Sequence, residues 1–436
     1  MRKLLFTFLI ALIPLKIGFA QDLLETYALA KSNDPDIRAT EFRNQATAET
    51  KDQSIAQMLP NLTLVGSDGV NQQSVNSFLG TTNQHYTNAQ VVFNLKMPVF
   101  HWDHWVQLEQ SDNKIAQSEA QLQAKSQNLI RRTAEAYFNV LAAQDEFKYS
   151  TAEKLALAEQ LAQAKQRFEV GTVAITDVYE AQAGFDRSVA GEIEAQKKLD
   201  NSKEALREVI GDNPTELREL QGLIPLPQPV PEDIAIWSDA ADSNNFSIIA
   251  QLNQSEYVRK SIEIQQAKHI PTLDIIGQYT NINNGSVYGY RGDYESVLLQ
   301  MNVSIYEGGV ISSRTRQYTH EYEAALEDLI KLRRSVGRQV KDAYRGVVSN
   351  ISKIKALEAT IKSAEMAVEA VEAGFKIGTR TMVDVVTAQR NLYRIKSDYA
   401  RSRYDYLIEG VKLKEASGSL SEQDLQQINH YLVGIN

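Results

Sequence analysis

The sequence predicts a mainly α-helical chain that also carries four β-strands and is built from two repeats. One motif of the form F-x-x-G-T-x-x-x-x-D-V occurs twice, at residues 168–178 and 375–385. Long helical patterns flank both copies, and no proline interrupts them between Pro98 and Pro214 or after Pro271. Four segments of about ten residues alternate apolar and polar side chains, which indicates strands with one apolar face.

The amino terminus resembles a secretory signal at residues 1–20. Arg2 and Lys3 precede an apolar run at residues 4–13, and Gly18-Phe19-Ala20 offers a small-residue cleavage site. The apolar run is too short to span a bilayer. The rest divides into a first repeat at 21–222, a proline-rich linker at 223–232 and a second repeat at 233–436.

Composition excludes several classes of function. With 46 basic and 55 acidic residues the net charge is −9, which argues against a nucleic-acid partner. The absence of cysteine excludes disulfides, thiolate metal sites and a cysteine nucleophile. No nucleotide-binding glycine loop, metal cluster or nucleophile motif appears, so we expect no enzyme and no cofactor. Beyond the signal there is no apolar run of the length that a spanning helix needs.

The first repeat begins with a helix that Asn33-Asp34-Pro35 breaks and caps. Its next elements, in order, are a strand at about 61–70 opened by Pro60, a polar loop at 71–87, a strand at about 88–100, a helix at about 102–170, a turn at 171–177 and a returning helix to 210. The helix at 102–170 would be a rod of roughly 100 Å.

The second repeat replays this order. It predicts a broken helix, a strand at about 272–280, a loop at 281–293, a strand at about 295–306, a helix at about 311–377, a turn at 378–384 and a returning helix. In the long helix an apolar residue recurs at every seventh position from Val340 to Phe375, and apolar residues fill the complementary positions with Asn350 as the polar exception. This seam predicts supercoiled helices.

Four strands with one apolar face suit a membrane barrel, but four cannot close one. The smallest membrane barrels have about eight strands, and an open edge in lipid leaves backbone groups unpaired. Several copies must therefore share a barrel, and three would give twelve strands and a ring of twelve helices. We expect a membrane interface at the aromatic residues where strands meet helices, although these side chains could also simply pack that junction: Phe100, Trp102, Trp105 and Tyr306.

The paired turns, the strands opened by proline and the doubled organisation resemble the TolC family of outer-membrane exit ducts over essentially the whole mature chain. The resemblance implies a homotrimer with an outer-membrane barrel in lipid and a long periplasmic tunnel. It also implies docking to a periplasmic adaptor (a membrane fusion protein) and to an inner-membrane transporter of the RND, ABC or MFS type. The exported cargo would be drugs or unfolded proteins.

The resemblance also implies a gate at the turns. The turn residues Gly171, Thr172, Gly378 and Thr379 would form the closed periplasmic mouth and the adaptor docking site. Asp177 and Arg380 match an ion pair that ties the hairpins, and Thr176 matches an accessory acceptor to the same arginine. Gln160 and Glu372 match a second polar link. An arginine–carboxylate pair is directional yet reversible, as a gate requires.

Asp384 matches an aspartate that faces the threefold axis, where three carboxylates would form a constriction and favour cations. Two positions depart from the family's prototype. Phe375 stands where the prototype has tyrosine, and Thr387 stands where it has a second aspartate. We therefore expect a mouth that is less tightly latched and binds cations less well than the prototype's.

Other readings of the sequence stay open. His101 and His104 are spaced like helical metal ligands, but no third ligand is evident nearby, which favours packing or capping and predicts no metal site. Residues 291–293 spell Arg-Gly-Asp in a predicted surface loop, where chance occurrence outweighs an adhesion role. The alternative functions are a periplasmic coiled-coil adaptor without a pore, which the four amphipathic strands disfavour, and an exported hydrolase, for which no triad is evident.

Overall fold

The computed structural model of the chain describes residues 20–78, 80–214, 216–286, 289 and 291–433. Apart from Ala20, the predicted signal lies outside the described residues. The elements in chain order are α1 (Leu23–Asn33), α2 (Pro35–Ala56), β1 (Asn61–Ser77), β2 (Gly80–Phe100), α3 (Trp102–Glu169), α4 (Ile175–Ile210), α5 (Ile234–Asn244), α6 (Phe246–Ala267), β3 (Thr272–Asn284), β4 (Arg291–Asn302), α7 (Val310–Lys376), α8 (Met382–Ala416) and α9 (Glu422–Asn429).

The chain forms two compact units, and each repeat contributes to both. The first unit consists of residues 1–37, 126–241 and 338–436, and the second of residues 38–125 and 242–337. The first unit contains both Gly-Thr turns and the proline-rich linker. The second contains all four named strands.

Equivalent polar residues start the second helix of each repeat. Asp34 follows α1, and its Oδ1 accepts hydrogen bonds from two backbone amides in the first turn of α2, at 2.8 and 3.0 Å. Asn245 follows α5 and accepts two such bonds from the start of α6, at 3.0 and 3.3 Å. These bonds satisfy amide groups that no helical carbonyl reaches. The break predicted at Asn33-Asp34-Pro35 is therefore a helix cap that both repeats use.

The four strands form one antiparallel sheet in the order β1-β2-β3-β4, so β1 and β4 are its edges. Residues directly opposite each other lie on the same face, and Phe93 stands between Leu64 and Tyr279 in this way. Along the same face Ile275 pairs with Met97 and Leu299. Ile275 and Tyr279 are half-buried, but most apolar side chains of this face are exposed in the single chain: Leu62, Leu64, Val91, Phe93, Leu95, Met97, Val297, Leu299 and Met301.

The first hairpin is longer than the sequence predicts. The residues predicted as a loop at 71–87 continue both strands, and the ladder runs unbroken to the pair Ser77–Gly80. Polar side chains there bond across the ladder, with the Thr81 hydroxyl donating to Asn76 Oδ1 at 2.6 Å. The prediction failed because the apolar alternation stops at residue 88, whereas backbone pairing needs no apolar face. The second predicted loop, 281–293, is shortened in the same way at both ends.

The last strand lies four residues earlier than predicted, at Arg291–Asn302 instead of 295–306. Its final pair joins Asn302 to Thr272, the first residue of β3. Pro271 precedes Thr272 and has no amide hydrogen to donate, so the ladder ends there. Val303 and Ile305 keep the apolar alternation, but they lie beyond the strand and are exposed. The Arg-Gly-Asp residues belong to β4 instead of a loop.

The heptad seam of α7 is buried in the first unit. Val340, Val347 and Ile354 are at most 4% exposed. Near the turns the seam continues in an apolar cluster contributed by α3, α4, α7 and α8: Leu161, Ala164, Val178, Ala181, Phe375, Met382 and Val385. Among the described helices, none is both long enough and apolar enough to cross a membrane.

A close helix contact predicts an asymmetric effect of two glycine substitutions in α4. A Cβ atom on Gly184 would lie 2.9 Å from Val386 Cγ1 in α8, whereas one on Gly191 would meet nothing within 4 Å. We expect Gly184→Val to destabilise the fold by about 1–3 kcal/mol through overpacking. Thermal unfolding followed by circular dichroism should show a lower Tm for Gly184→Val and not for the control Gly191→Val. Equal effects of the two variants would contradict this packing.

Candidate functional site

The two Gly-Thr turns have the same hydrogen-bonded geometry. Gly171 and Gly378 have φ angles of 73° and 81°, in the left-handed region that glycine tolerates. Thr172 donates both its backbone N–H and its hydroxyl to the carbonyl of Arg167, each at 2.9 Å. Thr379 does the same to the carbonyl of Gly374, at 2.9 and 3.1 Å. Each turn is a Schellman cap that satisfies the last carbonyls of a long helix, with the threonine hydroxyl added.

The helices that leave the two turns begin differently. Thr381 caps α8, and its backbone N–H and its hydroxyl both donate to Asp384 Oδ2 at 2.9 Å. The pKa of Asp384 is held below its usual range mainly by the hydrogen bond from the Thr381 backbone, then by the bond from the Thr381 hydroxyl, and least by the nearby charge of Arg380. In α4 the equivalent cap position is Ala174, which makes no side-chain cap bond. Asp177, the equivalent carboxylate in α4, therefore accepts no hydrogen bond from a capping side chain.

A polar cluster lies between the hairpins within the chain. Glu372 Oε1 accepts a hydrogen bond from Gln389 Nε2 at 2.7 Å and a longer one from Gln160 Nε2 at 3.5 Å. Gln160 and Gln389 are at least nine-tenths buried, and Gln389 Oε1 is buried without a partner in the described structure. A cavity of about 220 Å³ opens beside the three side chains. The structure thus brings Gln160 and Glu372 together, as the resemblance implies, and adds Gln389.

Phe375 is nine-tenths buried in the apolar cluster near the turns. The guanidinium of Arg167, in the last turn of α3, lies over its ring at 5.2 Å from the centroid. A cation within about 6 Å of an aromatic face is attracted to it, by about 0.5–1 kcal/mol at exposed sites. This contact joins the first hairpin to the second at a position where Phe375, unlike tyrosine, has no hydroxyl group for a hydrogen bond.

Asp177 and Arg380 do not meet within one chain. Asp177 is half-buried and Arg380 is exposed, and in the described part of the chain no ion pair within 4.0 Å joins them. Thr176 is exposed in the first turn of α4, and Thr387 is exposed in the second turn of α8. The stem of Arg380 lies against Gly374, where an added Cβ would be 2.7 Å from Arg380 Cγ.

The predicted interface aromatics lie in the second unit and are all exposed. Phe100 ends β2, while Trp102 and Trp105 lie in the first turn of α3. Tyr306 follows β4 by four residues and is 85% exposed. Their side chains are thus available to lipid or to a partner.

Three functional candidates escaped the sequence analysis: Gln389, Arg167 and Thr381. Gln389 had a signal, because it interrupts the otherwise apolar buried series Met382, Val385, Leu392 and Ile395 on α8. Thr381 stands three residues before Asp384, the spacing of a helix cap. Arg167 gave no signal of its own, because a cation–π contact between distant segments leaves no local pattern.

Comparison with known proteins places the chain among channels. The family model described as "Outer membrane efflux protein" matches residues 26–212 and 237–419. Over 416 residues the chain is 35% identical to "Outer membrane protein TolC" of Vibrio cholerae, covering 94% of each chain. It is 28% identical to "Alkaline protease secretion protein AprF" of Pseudomonas aeruginosa over 422 residues, covering 94% of this chain and 87% of AprF.

A solved structure shares the fold. The Campylobacter jejuni CmeC outer membrane channel superposes with a TM-score of 0.81 at 14% identity, covering 94% of this chain and 90% of CmeC. The resemblance drawn from the paired turns is confirmed by the family match, which spans both repeats. The chain therefore belongs to the outer membrane efflux protein family and is a TolC-type channel protein.

Proposed function

We propose that three copies of the chain assemble into one exit duct. Each copy gives four strands to a twelve-stranded outer-membrane barrel and two helical hairpins to a periplasmic tunnel of twelve helices. The Gly-Thr turns close the periplasmic mouth of the tunnel. Docking of a periplasmic adaptor and an inner-membrane transporter opens it for efflux or for type I secretion.

The observation that carries this proposal is the exposed apolar face of an open four-stranded sheet. Monomeric soluble proteins rarely expose so continuous an apolar surface. Along their outer edges, β1 and β4 have backbone N–H and C=O groups that no other strand of the described sheet pairs. In lipid such groups must be paired, and pairing β1 of one copy with β4 of the next supplies the bonds.

The same surface argues against a pore-free periplasmic adaptor. An adaptor in water would gain nothing from side chains such as Val297 and Met301, which are 80% and 67% exposed. Burying apolar surface is favourable by roughly 25 cal/mol per Å², and lipid contact would bury this face along its whole length. The membrane position of the sheet therefore accounts for a feature that the adaptor function leaves unexplained.

The latch, defined here as Asp177 and Arg380, forms between copies in this proposal. Each residue lacks an ion-pair partner among the described residues of its own chain, and each lies beside a Gly-Thr turn. In a ring the α4 start of one copy faces the α8 start of the next, with Thr176 as a further acceptor. A bond between copies is one that a docking adaptor can replace without unfolding any hairpin.

Other contacts set how firmly the mouth stays closed. Gln160, Glu372 and Gln389 hold the two hairpins of one copy together. Arg167 over Phe375 replaces the hydroxyl contact that tyrosine would supply, and it is weaker and less directional than a charge-assisted hydrogen bond. Asp384 forms one ring of three carboxylates at the constriction, and Thr387 adds no second ring. We therefore infer a loosely latched mouth with weak cation block.

The names of the relatives indicate the class of cargo and the class of docking partner, but no individual molecule. One relative is named for alkaline protease secretion and another is a TolC protein. We propose that the turns dock the adaptor, because Gly171, Thr172, Gly378 and Thr379 are exposed and present two nearly identical surfaces per copy. A trimer would present six such surfaces to the adaptor.

The latch proposal predicts a leaky channel when both members are removed. Asp177→Ala with Arg380→Ser should raise single-channel conductance in planar bilayers and admit large antibiotics into cells. The charge reversal Asp177→Arg with Arg380→Asp should restore closure, because the pair is remade with opposite polarity. The control Asp186→Ala with Arg390→Ser removes charges further along the same two helices. Unchanged conductance and leakage in the first variant would refute the latch.

The contact between Arg380 and Gly374 predicts that a helix-stabilising substitution opens the mouth. Gly374→Ala favours α7 by about 1 kcal/mol in helix propensity. The added Cβ, however, would lie only 2.7 Å from Arg380 Cγ, so the arginine side chain must move away. We expect antibiotic leakage to rise while thermal stability is kept. Gly337→Ala, in the same helix with nothing within 4 Å, should leave closure intact. A closed Gly374→Ala channel would show that the arginine position does not matter.

A further inference from the structure

Two histidines and two aspartates converge where β2 passes into α3. His101 immediately precedes α3 and His104 lies in its first turn, and their rings stack with centroids 4.4 Å apart. Asp103 lies between them in sequence, with its carboxylate 3.7 Å from His101 Nδ1 and 4.0 Å from His104 Nε2. Potential ligand atoms of these three residues all lie within 4.8 Å of one another.

The fourth residue, Asp274 of β3, orients His101. Its Oδ1 lies 3.0 Å from His101 Nε2, and both side chains are nearly buried. A carboxylate in this position accepts the Nε2 hydrogen and leaves the Nδ1 lone pair free, on the side of Asp103. Metal-binding histidines in proteins are commonly held this way by a carboxylate outside the coordination shell. Lys96 lies 3.5 Å from the other oxygen of Asp274 and balances its charge.

His104 carries an unexplained buried atom. Its Nδ1 is buried and has no hydrogen-bond partner among the described residues. Buried polar atoms without partners are rare in folded proteins, and each calls for a ligand, a water or an ion.

We propose that His101, Asp103 and His104 bind one divalent transition-metal ion of the zinc type in each chain. Two imidazoles and a carboxylate are a ligand set that suits Zn²⁺, Co²⁺ or Ni²⁺ over Ca²⁺ and Mg²⁺. Asp274 acts through His101 and positions it. Stacked rings do not point their nitrogen lone pairs at one common position. One of the two imidazoles must therefore turn about χ2 for both histidines to coordinate the same ion.

The bound ion would fasten strand to helix at this junction. His101 connects the end of β2 to Asp274 in β3, and His104 connects the same ion to the first turn of α3. The side chains of His101, His104 and Asp103 are 13%, 18% and 27% exposed, so a hydrated ion can enter while the site stays largely shielded. The flanking Trp102 and Trp105 report on the ion, because Co²⁺ quenches nearby indole fluorescence.

The test is a titration of the untagged, full-length, assembled protein in detergent with Zn²⁺ by calorimetry and with Co²⁺ by visible absorption and tryptophan quenching. We expect one ion per chain, Zn²⁺ displacing Co²⁺, and a higher Tm with Zn²⁺ than with chelator. His101→Gln and His104→Gln should abolish this binding. Asp274→Asn should weaken it about 10–100-fold, as loss of an orienting carboxylate does.

The control is His320→Gln. His320 also lies 3.1 Å from a carboxylate, that of Glu323, but it is exposed and has no second histidine. Circular dichroism of each variant checks folding, so that a loss of binding is not confused with a loss of structure. Three results would overturn the proposal: no saturable Zn²⁺ binding, binding that survives in both histidine variants, or a stoichiometry of one ion per three chains. The last result would place the ion at the Asp384 ring instead.

Discussion

Unpaired backbone groups at the edges of the sheet constrain everything else in this molecule. β1 has 17 residues and β4 has 12, and each presents a row of donors and acceptors that no strand among the described residues pairs. In hydrocarbon each unpaired group costs several kcal/mol, far more than a folded domain has to spare. The apolar face nevertheless calls for lipid. In the proposed trimer, pairing of edges between copies satisfies both requirements, and the closed ring would bring the hairpin tips of neighbours together.

The duplicated turn shows how one motif serves two purposes. Both copies end a long helix with the same glycine geometry and the same threonine bonds. The cap residue of the following helix differs between the copies: Thr381 caps α8, whereas Ala174 leaves α4 without a side-chain cap. Asp384 is consequently held by its own helix, and Asp177 remains free for a partner. This difference in capping separates Asp384, the carboxylate of the proposed constriction, from Asp177, the carboxylate of the proposed latch.

Most of the secondary structure was predictable because it follows from local periodicity and proline. The heptad seam of α7, the breaks at Asp34 and Asn245 and both Gly-Thr turns are found where the sequence placed them. The polar extensions of β1 and β2 were missed because pairing there depends on the neighbouring strand and not on an apolar face. The early end of β4 depends on Pro271, which is distant in sequence. Within the candidate site, Gln160 lies 3.5 Å from Glu372, whereas Asp177 and Arg380 form no ion pair among the described residues of one chain, so the pair between them stays a prediction.

Edge pairing between copies can be measured directly because the chain has no cysteine. Leu64→Cys on β1 would be combined in turn with cysteine at Val297, Leu299 or Met301 on β4. Three partner positions are used because the register between neighbouring copies is not fixed in advance. Each double variant would be treated with a short bismaleimide cross-linker. Within one chain these edges are separated by three strand spacings, about 14 Å, which such a linker cannot bridge. We expect covalent trimers on a denaturing gel for at least one pair and none for any of the four single variants. Monomers alone for all three pairs would contradict it.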